Sequence, residues 1–292
     1  MIMSNSQTTR QSVIAGSWYP GSEKALAQTV DRYLKNVDQP LVGGDLLGLI
    51  SPHAGYVYSG QTAAFAYHQL QGQQVEIVVL LGPSHRAWVG DWATSAEDAY
   101  QTPLGVVPLE QAFISELAGQ VSMRRVQRDA EHSLEIQLPF LQRQLGDFCL
   151  VPVMMSADDP AAARRLAAAL VEIIRRRASE GQRTLLVASS DLHHIENYDE
   201  VVRRDRRVID ALDAYDLDRL QTVLMSRDSS VCGRVPILTV LHAAGALGAD
   251  SVDILHYTNS GQVTGRQAPG QYTVGYVAAA VYRSRAHNVG AA

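Results

Sequence analysis

Runs of apolar residues without polar alternation stand out at positions 46–50, 77–81 and 184–188. In the middle run Ile77, Val78, Val79, Leu80 and Leu81 are consecutive, and three of the five are β-branched. Such a run reads as a strand buried on both faces, the signature of the centre of a parallel sheet. Gly82-Pro83 ends it, which leaves Ser84 and His85 just past its carboxyl end. The other two runs lead into Ser51-Pro52-His53 and into Ser189-Ser190-Asp191-Leu192-His193-His194. In open α/β sheets ligands bind outside the carboxyl ends of the strands. Three strands therefore deliver a histidine each to one edge.

Between these runs the pattern has helical period. Helices are predicted over 22–34, with Ala25, Leu26, Val30 and Leu34 on one face, and over 62–70, 110–118, 161–177, 198–214 and 216–225. Residues 131–141 have one helical period, which Pro139 should kink or break. An apolar helix is predicted from Cys232 to about residue 246, with Pro236 in its first turn. Further strands are predicted at 251–257 and 273–282, and at 149–155, where Pro152 favours a sheet edge or strand end. Residues 88–107 are less regular, with Tyr100 to Gly105 reading as turn and short strand. The alternation of strand and helix predicts one α/β domain, a three-layer arrangement with a mostly parallel or mixed central sheet and helices on both faces. The domain is expected over 11–285, with flexible tails at 1–10 and 286–292.

Composition changes this picture little. With 292 residues, 46% hydrophobic and 19% charged, the chain suits one large core. A net charge of −5 argues against non-specific nucleic-acid binding. The arginine clusters at 175–177 and 203–207 read as solvated helix faces. No apolar run is long enough for a membrane span, and the first ten residues lack a signal-peptide core. Two cysteines do not make a disulfide framework, and a cytoplasmic location is expected.

Of nine histidines, His53, His85 and one of His193 and His194 share a topological position, whereas His68, His242 and His256 sit within regular elements. The shared position favours metal ligation or acid–base work. Cys232 stands at the start of a helix beside Arg234, a setting that favours the thiolate form that ligates metals. Asp191, three residues before His194, is placed to orient an imidazole or to cap a helix. Glu131-His132-Ser133 reads as a capping arrangement or as a rim of the site. Phosphate-loop and serine-hydrolase motifs of the G-x-x-x-x-G-K-S and G-x-S-x-G types are absent from the sequence.

Six stretches in order resemble the Memo family, which includes AmmeMemoRadiSam system protein B. They are Ala15-Gly16-Ser17-Trp18-Tyr19, Pro52-His53-Ala54-Gly55-Tyr56, Gly82-Pro83-Ser84-His85, Glu131-His132-Ser133-Leu134-Glu135, the 189–194 run and Cys232-Gly233-Arg234. The resemblance implies a fold like that of class III extradiol dioxygenases, which hold non-haem Fe(II) with two histidines and a glutamate. It implies His53, His85 and Cys232 as metal ligands, the cysteine standing where those enzymes have a carboxylate. His194 is implied as the acid–base group with Asp191 beside it, while no role carries onto His193. Two imidazoles and a thiolate suit Fe(II), and also Cu or Zn. The expected function is a non-haem iron oxidoreductase. The alternatives are a non-catalytic pocket for a peptide or small metabolite, rimmed by Trp18, Tyr56, Tyr58 and His132, and iron or copper handling. A functional link to AMMECR1-like and radical SAM proteins is also implied.

Overall fold

A computed structural model describes residues 8–285. The first half of the chain forms β1 (Thr9–Arg10), α1 (Glu23–Lys35), β2 (Gly44–Ser51), α2 (Tyr56–His68), β3 (Ile77–Pro83), β4 (Trp92–Ser95), β5 (Ala99–Thr102), β6 (Gly105–Pro108), α3 (Gln111–Gln120), β7 (Met123–Val126), α4 (His132–Glu135) and α5 (Leu138–Leu145). The second half forms β8 (Cys149–Met155), α6 (Pro160–Ser179), β9 (Thr184–Ser189), β10 (His194–Ile195), α7 (Tyr198–Asp213), α8 (Leu217–Leu224), α9 (Arg234–Ala246), β11 (Ser251–Asn259), α10 (Ser260–Thr264) and β12 (Thr273–Ser284).

The three apolar runs are β2, β3 and β9, and they lie side by side in the order β2-β9-β3-β8, all parallel. Every residue of β3 and β9 is buried, as strands covered on both faces require. Antiparallel strands flank this centre: β12 pairs β2 on one side and β4 pairs β8 on the other, so the sheet is mixed. A separate small sheet joins β1, β5 and β6. Helices α1, α2 and α5 pack together, as do α6 and α9, and both groups cover central strands. Because β2, β3, β8 and β9 run the same way, Ser51, Pro83, Met155 and Ser189 end at one edge. Among the described residues no helix is long and apolar enough to cross a membrane.

The break expected near Pro139 is present: residues 131–141 span two helices, α4 and α5, with Pro139 in the first turn of α5, where its missing N–H costs nothing. Other expectations need correction. Strand β8 is interior, between β3 and β4, and not an edge. Pro152 fits there because β4 pairs only with Met154 and Met155, so the strand is locally unpaired on that side. The stretch 88–107, expected to hold one short strand and a turn at 100–105, contains three strands, β4, β5 and β6. The tail expected over 1–10 does not include Thr9–Arg10, which form a strand with Arg10 2% exposed; residues 1–7 and the tail expected at 286–292 lie outside the described residues.

Candidate metal centre

His53 follows the carboxyl end of β2 and is buried. Its backbone N–H donates to Asp191 Oδ1 at 2.7 Å, which holds the loop down. Its ring Nδ1 lies 3.0 Å from Ser189 Oγ. Ser189 has one hydroxyl proton and donates it to Ser133 O at 2.6 Å, so towards His53 it accepts. The proton of His53 is therefore on Nδ1, and Nε2 presents a lone pair 3.0 Å from Cys232 Sγ. Burial first, then the neighbouring His85 and His132, holds the His53 pKa well below its ordinary value, so the ring is neutral.

His85 follows β3 and is fixed by Glu131, whose Oε2 accepts from the His85 backbone at 2.5 Å and whose Oε1 lies 3.0 Å from Nδ1. Glu131 is also the N-cap of α4, accepting from His132 N and Ser133 N. Burial pushes its carboxyl up, but these bonds with His85 and Ser133 outweigh burial and bring it to about 2. An ionised carboxylate only accepts, so the proton of His85 is on Nδ1 and its Nε2 too is free. Helix α4 comes this close because Gly82 has no side chain; a Cβ there would lie 2.6 Å from Ser133 Oγ.

Cys232 sits one residue before Gly233, the N-cap of α9. Gly233 donates to Ser190 Oγ at 2.9 Å, and a Cβ on it would lie 2.3 Å from Ser190 Cβ. Only glycine lets this turn approach β9 closely enough to bring Sγ to His53. The thiolate expected from local sequence is corrected: burial, with the Asp191 carboxylate, pushes the thiol pKa up. Arg234 turns away to pair with Asp158. A cation is thus needed to draw off the proton.

The donor atoms of His53, His85 and Cys232 all lie within 4.8 Å of one another. Two imidazoles whose Nδ1 atoms are held by outer partners, as ligating histidines need, and one sulfur fit a metal ion. A second cluster, His85, Glu131 and His132, is also compact. There the carboxylate is already engaged by four N–H groups, which makes Glu131 an orienting group and not a ligand.

Beside the trio opens a cleft of about 570 Å³, lined among others by Trp18, Tyr58, His132, His194 and Tyr272. His132 stacks on His85 with ring centroids 4.7 Å apart and packs against Trp18 at 4.3 Å. Burial lowers its pKa to about 4 in spite of Glu131. His194 Nδ1 lies 3.1 Å from the Tyr272 hydroxyl, while its Nε2 is buried without a partner among the described residues. Burial, with a smaller effect of His85, brings His194 to about 4, so its ring is neutral near pH 7.

Two expected roles change place. The Asp191 carboxylate does not meet the His194 ring; it accepts from the backbone of His53, and burial pushes its pKa up to about 7 against those N–H groups. Tyr56 is a core residue, 4% exposed, whose hydroxyl donates to Ile136 O at 2.9 Å. His256 stacks on Phe65, as a structural histidine should. Sequence reasoning missed Gln137, which donates to Pro52 O and Ser189 Oγ and so ties the first and third strand ends together. It also missed Arg10, whose guanidinium meets Asp129 at 3.0 Å, Glu135 at 2.5 Å and the carbonyl of Glu131 at 2.7 Å.

Comparison with known proteins places these residues in context. The profile of a family described as Memo-like protein matches residues 10–280. A MEMO1 family protein of Methanosarcina acetivorans is 32% identical over 271 residues, covering 92% of this chain and 97% of that one. A MEMO1 family protein of Methanopyrus kandleri is 34% identical, covering 94% and 99%. One of Thermotoga neapolitana is 33% identical, covering 92% and 98%. Among solved structures, the uncharacterized protein JW3007 of Escherichia coli K12 aligns with a TM-score of 0.48 at 15% identity, covering 79% of this chain and 99% of that one.

Proposed function

The chain belongs to the Memo-like protein family, and from that premise we propose that it is a metal-dependent protein, a non-haem Fe(II) oxidoreductase related in fold to class III extradiol dioxygenases. The observation that carries this reading is the convergence of His53, His85 and Cys232 from three separate parts of the chain. Fe(II) held by these three residues would supply O2 activation and coordination of a substrate oxygen. The protein's residues do the rest. Trp18, Tyr58 and Tyr272 line a cleft whose aromatic walls suit a planar aromatic substrate. His194, neutral with Nε2 free, takes a proton from a substrate hydroxyl or returns one. Asp191 and Glu131 keep His53 and His85 in place.

The test is anaerobic loading with Fe(II) followed by O2 uptake in the presence of phenols or indoles. Turnover is expected for at least one substrate class. His194→Ala is expected to keep its metal and lose turnover by roughly 10²–10⁴-fold. A His194→Ala protein that no longer holds metal would make His194 a ligand and overturn this division of roles. Ligand binding without turnover across the panel would favour a non-catalytic pocket. Tight metal retention with no ligand bound would favour metal handling.

A further inference from the structure

The run ending in His193-His194 sends its two imidazoles to different places. His194 lines the cleft, whereas His193, 2% exposed, lines a different cavity. Its Nδ1 lies 2.8 Å from Asp205 Oδ1, and its backbone N–H donates to the same oxygen at 3.0 Å. Asp205 is fully buried, and its other oxygen accepts from the Tyr257 hydroxyl at 2.9 Å. No arginine or lysine pairs with Asp205 among the described residues, so the carboxylate is devoted to His193 and Tyr257. With Nδ1 committed, Nε2 is the ring nitrogen left to meet a ligand.

The cavity that His193 lines is small, about 120 Å³, and Arg203, Arg204, Arg207, Ser226 and Asp228 help wall it. That is room for about four waters, the size of a tetrahedral anion. Arg203 and Arg204 are partly engaged by Glu200, and Arg204 also reaches the Asp228 carbonyl. Each keeps at least one guanidinium nitrogen uncommitted. Arg207 has neither an ion pair nor a side-chain hydrogen bond among the described residues. Arg203 and Arg207 are exposed, as expected of a solvated helix face, yet three guanidiniums line the same small cavity as a buried imidazole braced by a carboxylate, an arrangement that suits an anion.

We propose that this cavity binds a phosphoryl oxyanion, either inorganic phosphate or the terminal group of a small phosphomonoester. The guanidinium N–H groups take its charged oxygens, and His193 Nε2 meets the hydroxyl of a phosphate that keeps one proton. The site is separate from the metal centre and does not depend on what that centre does.

The experiment is a calorimetric titration of the full chain with inorganic phosphate at fixed ionic strength. One saturable site per chain is expected, and Arg207→Gln should weaken it about tenfold or more. Arg206→Gln is the control, because Arg206 is 73% exposed and paired with Asp210 at 2.7 Å; its affinity should stay within about twofold of the unaltered chain. Both arginines are on the surface, so neither variant endangers folding. Cys232→Ser should leave phosphate binding unchanged, which separates this site from the metal reading. Displacement by methyl phosphate would assign the site to phosphomonoesters, and failure to displace would assign it to free phosphate. Absence of saturable binding, or equal weakening by Arg206→Gln and Arg207→Gln, would overturn the proposal, the latter because it means diffuse charge.

Discussion

Each imidazole of the metal centre offers Nε2 because another residue takes Nδ1: Ser189 for His53 and Glu131 for His85. Glu131→Gln keeps the size of the side chain and removes the charge, and its NH2 cannot accept where a carboxylate oxygen did, so His85 loses the charged acceptor that fixes its tautomer. Metal affinity, read by competition with a chelator, should fall roughly 10–100-fold; unchanged affinity would mean that His85 is fixed otherwise. Asp191 acts through the His53 backbone and not through His194. The histidines and the cysteine were legible in the sequence because each stands where a buried strand ends or an apolar helix begins. Tyr56 was not, because the first residue of a helix, directly after Gly55, can point into the cleft or into the core, and periodicity does not distinguish them. The thiol of Cys232 was misread for a different reason. Burial outweighs the helix N-terminus, and the arginine two residues on turns to Asp158.

At the scale of elements, the strands read most clearly were those buried on both faces, β2, β3 and β9, where continuous apolar sequence leaves no alternative. Of the four-residue strands, the turn and short strand read over 100–105 meet β5 and the start of β6, whereas β4 and β7 were not legible, since so short a segment of mixed polarity fits a loop equally well. The split between α4 and α5 was half legible: Pro139 announced a break, and the helical period hid where it falls. The opening segment was misjudged because the partners of Arg10, at Asp129 and Glu135, are more than a hundred residues away. Arg10 binds the carbonyl of Glu131 and Asp129 accepts from the N–H of Glu131, so this ion pair grips the residue that orients His85. Arg10→Met leaves two buried carboxylates without their cation and should destabilise the fold by roughly 3–5 kcal/mol. Urea unfolding measures this, and a loss near zero would mean that the pair is dispensable.

For the whole molecule, the parallel centre makes one edge common to β2, β3 and β9, and every residue of the proposed metal centre lies there or beside it. That edge is also a store of unprotonated groups. His53, His132 and His194 all have pKa values below the ordinary value, the last two at about 4. As pH falls below about 6.5 the unfolded chain takes protons that the folded chain refuses, so stability declines from there towards pH 4. Asp191, raised to about 7, works the other way: its contribution is present at low pH and is lost as pH rises through 7. Three groups outweigh one. The metal-free protein should therefore have a lower urea midpoint at about pH 5 than at about pH 7, and an equal or higher midpoint would contradict the neutral state of these rings. The metal centre itself is tested most directly by anaerobic titration with Co(II), which reports thiolate ligation through its charge-transfer absorption. One equivalent per chain is expected to develop that band, and Cys232→Ser, with its fold intact by circular dichroism, should lose both the band and tight binding. A chain that takes up no Co(II), or a Cys232→Ser protein that binds it as tightly with the same spectrum, would contradict the assignment of His53, His85 and Cys232 as the ligands.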